Sequence, residues 1–199
     1  MTDSRDGFRF RAGNVALDLP ATLTGRLKPA QRDLLAAPED AGRWLVAAGL
    51  ARKLPVTEME DVVEMRRLRE AIYSLAMAHI NGSKAPVGAR AALNRIAAGA
   101  PLAIPYLESS GKMRLSGPAQ GFITLLAHEA IRLFSDDRRR RIRQCEFETC
   151  ALLFLDTSRA GDRRWCSMSG CGNKAKVAEF RRRKRLGADQ ASSRLKKSR

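Results

Sequence analysis

The chain has 199 residues, with 37 Lys+Arg against 21 Asp+Glu and a formal net charge of +16. Hydrophobic residues make up 44%, which excludes wholesale disorder and allows one or two domains with a real core. No apolar run reaches the roughly 18 residues of a membrane span, and the opening MTDSRDGFRF lacks the apolar region of a secretory signal. A cytoplasmic protein with a polyanionic partner and no membrane contact is therefore expected.

In chain order, Phe8-Arg9-Phe10-Arg11 alternates apolar and charged residues and predicts a short strand. Gly13 and Asn14 mark a turn, and an apolar pattern resumes from Val15 to Leu19 before Pro20. Residues 38–48 predict a helix. Pro38 suits the first turn, Glu39 and Asp40 suit its positive end, and Gly49 suits its stop. A longer helix is expected over 58–80, with a Thr57/Glu60 capping box. Its stripe is Asp61, Met65, Leu68, Ile72, Leu75 and His79. A helix over 87–98 carries Leu93 and Ile96. Residues 102–107 and 112–116 predict a hairpin around Ser109-Ser110-Gly111, with Pro105 on an edge. A helix over 119–134 carries Phe122, Leu125, Leu126, Ala130 and Leu133.

These first 135 residues offer little chemistry. His79 and His128 read as core or surface histidines. Asp18 lies in an apolar segment, where a buried carboxylate needs a partner. It is the weak candidate for ligand contact. No Gly-rich phosphate loop and no Ser/His/Asp pattern is present, so the chain reads as a non-enzyme.

The remaining third is different. Residues 136–199 hold 19 Lys+Arg and 8 Asp+Glu, and all four cysteines fall between 145 and 171. The spacing Cys145-x4-Cys150-x15-Cys166-x4-Cys171 is two close pairs separated by a loop, the way proteins assemble a tetrahedral thiolate site. Four thiolates suit Zn2+, with an iron centre as the chief competitor. One structural zinc per chain is expected, with no open position for a catalytic water. The filling reads as a hairpin of 152–155 with 163–166. A helix over 172–186 follows, ended by Gly187.

At 100° per residue, that helix should turn Asn173, Val177 and Phe180 inward. Lys174, Arg181 and Arg185 form a basic stripe, flanked by Arg182, with Lys176 on the other side. Such a helix suits a phosphate backbone, and Arg163 and Arg164 on the hairpin would add contacts. The proposed division is 1–135, 136–186, and a basic, disordered tail over 187–199. The fold class is α+β, with a predominantly helical N-terminal domain containing a small β-hairpin and a C-terminal treble-clef-like zinc finger.

The residues Cys145-x4-Cys150, Phe154-Leu155-Asp156-Thr157-Ser158, Arg164-Trp165-Cys166-Ser167-Met168 and Cys171-Gly172-Asn173-Lys174-Ala175-Lys176 strongly resemble the CGNR zinc finger family. The upstream region resembles the ABATE domain, which precedes that finger in bacterial proteins described as stress-induced transcription regulators. It does so through Gly13 to Asp18, Leu68-Arg69-Glu70-Ala71 and Leu93-Asn94. The resemblance implies zinc at the four cysteines and DNA as the finger's partner. The N-terminal domain would sense a small-molecule effector or form a homodimer. Two departures matter. Lys174 stands where the family has Arg, keeping the charge but losing the bidentate fork. Ala21-Thr22 stands where the family commonly has Asn-Thr. The alternative is a zinc-stabilised module that binds RNA or a protein without reading DNA sequence.

Overall fold

The computed structural model describes residues 4–99 and 102–197, with side chains up to residue 185. Residues 198 and 199 of the expected tail lie outside the described residues.

The chain opens with β1 (Ser4–Arg5) paired antiparallel to β2 (Phe8–Arg9). The expected strand over 8–11 is thus only two residues long. A short helix, α1 (Val15–Asp18), is capped by the Asn14 side chain, which accepts from the Ala16 N–H at 2.9 Å. A 3-10 turn over Leu19–Thr22 leads into β3 (Leu23–Thr24), which pairs with β4 (Arg32–Asp33).

Helix α2 (Pro38–Ala47) forms where its start and stop residues predict it, and α3 (Met59–Ile80) where the apolar periodicity does. The cap of α3 differs from expectation. Glu58 donates its backbone N–H to Asp61 at 2.9 Å, while the Thr57 hydroxyl donates to the Pro38 carbonyl at 2.7 Å and ties α3 to the start of α2. Met65, Leu68, Ile72 and Leu75 of the expected stripe are buried. Helix α4 (Val87–Ala97) buries Leu93 and Ile96. The hairpin β5 (Ile104–Leu107) with β6 (Met113–Ser116) follows, pairing Pro105 with Leu115. A two-stranded sheet has only edges, so Pro105 removes no interior ladder bond. Helix α5 (Ala119–Ser135) buries Phe122, Leu126, Ala130 and Leu133.

Arg69 of α3 is buried among these apolar groups and donates to the Asp33 carboxylate at 2.7 and 3.0 Å. Asp33 is held below the usual carboxylate range: burial alone would raise it, but the Arg69 guanidinium prevails. This pair pins the β3–β4 arm onto α3.

The chain continues through β7 (Ile142–Gln144) and β8 (Leu153–Leu155), which are antiparallel to each other. This corrects the expected hairpin of 152–155 with 163–166. The returning segment instead follows a loop, joined to the knuckle by the Glu146 N–H donating to the Arg164 carbonyl at 3.0 Å. The turn is made by Asp156, whose carboxylate accepts from the N–H groups of Ser158 and Arg163, each at 2.9 Å.

Ile142, Leu153 and Leu155 belong to the same hydrophobic core as Trp44, Met65 and Leu126. The Leu155 N–H donates to the Ala12 carbonyl at 2.7 Å. Gly13 meets that approach with φ +72°, and a Cβ there would lie 3.6 Å from the Leu155 carbonyl oxygen. Gln144 donates to the Tyr73 hydroxyl at 3.1 Å, and Arg11 to Ser167 Oγ at 3.3 Å. The cysteine-bearing segment is therefore packed onto the helical part through a shared core.

The last element, α6, runs from Asn173 to Lys197, past the Gly187 expected to stop it and through most of the expected tail. An interior glycine costs about 1 kcal/mol of helix propensity, which does not by itself end a helix.

Candidate metal centre and nucleic-acid interface

The β7–β8 turn supplies Cys145 and Cys150, and the return before α6 supplies Cys166 and Cys171. The four Sγ atoms lie within 4.8 Å of one another. Cys150 and Cys166 are 3.9 Å apart, and Cys166 and Cys171 3.5 Å. A tetrahedron with Zn–S bonds of about 2.3 Å has edges of about 3.8 Å, so the donors match a ZnS4 site in kind and spacing. None of the cysteines is in a disulfide.

The protonation chemistry points the same way. Hydrogen bonds from Cys150 and Cys166 push the Cys145 thiol well down. Cys150 is pushed up to about 11 by its contact with Cys145, and Cys166 further up by contacts with Cys145 and Cys150. One negative charge forms easily and opposes the next. A cation at the centre offsets that opposition. Backbone N–H groups support the sulfurs: Cys166 donates to Cys145 at 3.4 Å, Phe147 donates to Cys145 and Leu152 to Cys150. When bound, zinc supplies structural cross-linking between the two ligand pairs.

Close packing surrounds the last ligand. A Cβ on Gly172 would lie 3.0 Å from Met168 Sδ and 3.2 Å from Trp165 Cδ1, so a side chain there would make the Met168 and Trp165 side chains shift. Phe154 is fully buried beneath the site, with Trp165 and Phe147 partly covering it.

The ABATE family model, described as "Putative stress-induced transcription regulator", matches residues 13–137. The chain belongs to the ABATE family. The CGNR zinc finger model matches residues 141–184 immediately after it, so this ABATE protein carries a CGNR finger, and within it Cys145, Cys150, Cys166 and Cys171 lie close enough together to hold one zinc ion. Both family descriptions are of regulatory or zinc-finger proteins rather than enzymes. A comparison with curated proteins gives no match. No helix among the described residues is long and apolar enough to cross a membrane.

The expected nucleic-acid residues fall into two sets. Lys174, Lys176, Arg181, Arg182 and Arg185 are all exposed on α6. Arg182 also pairs with Glu179 at 2.9 Å. Arg163 is turned inward, donating to the carbonyls of Trp165 (2.8 Å) and Cys166 while its guanidinium lies over the Phe154 ring. It braces the finger. Arg164 is exposed but pairs with Glu146 at 2.6 Å and lies over Trp165.

The inward face expected for α6 is a correction. Val177 is 47% exposed and Phe180 64% exposed, and Asn173 is exposed too. The helix leaves the domain after its first turn, so no core reaches these side chains. On the wheel, Asn173, Val177, Phe180 and Lys184 form one stripe. Lys174, Arg181 and Arg185 border it on one side and Lys176 and Arg183 on the other. Arg182 lies opposite the stripe, and Glu179, between it and Arg183, pairs with both.

Asp18 is buried and accepts from the Ala12 N–H at 2.9 Å. Burial pushes its pKa up to about 6, against the backbone donors of Ala12 and Arg11. Its carboxylate thus holds the loop that receives β8. His128 meets the Ala97 carbonyl at 2.7 Å, a packing role.

Proposed function

We propose that this ABATE protein is a zinc-dependent, DNA-binding transcription regulator. The zinc cluster sets the direction of α6. The exposed face of α6 lies in a duplex groove, with Lys174, Arg181 and Arg185 on one phosphate strand and Lys176 and Arg183 on the other. Asn173, Val177 and Phe180 then face the base edges, where an amide suits adenine and apolar groups suit the thymine methyl. Arg182 and Arg164 supply outer phosphate contacts, and Arg163 contributes by bracing the finger. The N-terminal domain senses a small molecule or brings two copies together, and a two-fold dimer would read a palindrome.

The observation that carries this reading is the run of exposed cations on α6, Lys174, Lys176 and Arg181 to Arg185, against Glu179 as the one acid between residues 173 and 185, on a helix that starts at the cysteine cluster. The test is selection of genomic DNA fragments by purified, zinc-loaded protein at physiological salt. Enrichment of a few sites sharing a motif supports the proposal. Flat recovery of all fragments contradicts a sequence-specific regulator and favours the RNA- or protein-binding module.

A further inference from the structure

A second basic feature lies away from the α6 stripe, at the seam between the ABATE part and the finger. A cavity of about 140 Å3 opens between the 20–28 segment and the knuckle, with Cys150 and Cys171 on its finger wall. Arg9, Arg26, Lys28 and Lys174 line it, and no Asp or Glu does. These cations come from β2, from the β3–β4 arm and from the first turn of α6, so three separately placed elements bring like charges together.

Arg26 is fixed in place. It donates to Glu70 through two bonds of 2.7 and 2.9 Å and stacks over Tyr73 with its guanidinium carbon 4.1 Å from the ring centroid. Glu70 balances that one charge from outside the cavity. Arg9, Lys28 and Lys174 bring three more. Lys174 follows a helical turn over Met168–Gly172, whose Ser167 side chain accepts from the Gly170 N–H. Against Arg9, Lys28 and Lys174, a zinc ion with four thiolates on the finger wall brings a formal charge of about −2. A net positive charge remains in a cavity with no lining carboxylate, and one small anion balances it.

We propose that this cavity is a binding site for a small oxyanion, the phosphate or carboxylate group of a metabolite, held by Arg9, Lys28 and Lys174 on the rim and by the pre-set Arg26. The volume takes one such group and leaves the rest of the ligand in the open mouth. This deepens the sensing part of the proposed function. The anion would bridge the ABATE arm to the first turn of α6 beside two zinc ligands, and so bias the direction of the helix that contacts DNA.

The test is calorimetric titration of the full-length, zinc-loaded protein with inorganic phosphate, and in parallel with citrate, at constant ionic strength and without DNA. Arg9→Ala/Lys28→Ala is compared with Arg181→Ala/Arg185→Ala on the outer helix. Arg9 and Lys28 are exposed, so the first pair should keep its zinc and fold, checked by metal content and circular dichroism. Saturable binding of either anion is expected, weakened at least about tenfold by Arg9→Ala/Lys28→Ala and unchanged by Arg181→Ala/Arg185→Ala. Non-saturable uptake of both anions, or equal loss in both variants, overturns the site. Because DNA is absent, failure of the DNA-binding proposal would leave this result standing, and the reverse holds as well.

Discussion

Cys166 lies within 3.9 Å of Cys150 and 3.5 Å of Cys171, and its N–H supports Cys145. Replacing that one sulfur removes a ligand and disturbs the other three. Purified wild type should carry about one zinc per chain by mass spectrometry of the metal, and Cys166→Ser should carry almost none. Asp18 gives a second residue-level test. Its folded-state pKa of about 6 lies above the ordinary 3.8, so the fold favours the protonated form. That contribution is complete below pH 3.8 and is lost as pH rises through 6, a cost of about 3 kcal/mol at neutral pH. Asp18→Asn keeps an acceptor for Ala12 and removes the ionisation. Its denaturant midpoint should therefore depend less on pH between 4 and 8 than that of wild type, and should exceed wild type's at pH 8. Parallel curves would contradict the role assigned to Asp18. The four cysteines were legible in the sequence because a metal site leaves its spacing in the chain. So was the need of Asp18 for a partner. The Arg69–Asp33 pair was not, because nothing local links residues 36 positions apart. The oxyanion cavity stayed hidden for the same reason, being built from positions 9, 26, 28 and 174.

Among the elements, α2 was legible from its start and stop residues, and α3 to α5 because each has apolar residues at helical spacing and a core to receive them. Helix α6 shows the limit of the same rule. Its Val177/Phe180 spacing matches a buried stripe, but periodicity reports which residues share a face and not what covers that face. The β7–β8 pairing was hidden behind the Arg138–Arg141 run and a strand of only three residues. The difference can be measured. Phe180→Ala should change stability by no more than about 0.5 kcal/mol, as expected for an exposed side chain. Phe154→Ala, beneath the zinc cluster, should cost about 3–5 kcal/mol. Thermal unfolding of both variants distinguishes them, and a large loss for Phe180→Ala would mean that α6 is covered in solution.

At the scale of the whole molecule, the finger and the ABATE part share Ile142, Leu153 and Leu155 in one core. A fragment starting at residue 141 would expose those side chains, and zinc removal should weaken both parts together. A chelator is expected to lower the unfolding temperature of the entire chain in a single transition. Two separate transitions, with the upper one unmoved, would show the parts to be independent. This coupling gives an event at the seam a physical route to α6.

Contact between DNA and the cations of a zinc-organised α6 is open to direct test. The most direct measurement is duplex affinity over a range of salt concentrations, for the zinc-loaded protein, for Arg181→Ala/Arg185→Ala and for zinc-stripped protein. Each lost phosphate contact lowers the slope of log affinity against log salt by about 0.9. The double variant should retain its zinc and lose about two units of slope, and stripping the zinc should abolish tight binding. An unchanged slope in the double variant, or undiminished affinity without zinc, would contradict the account.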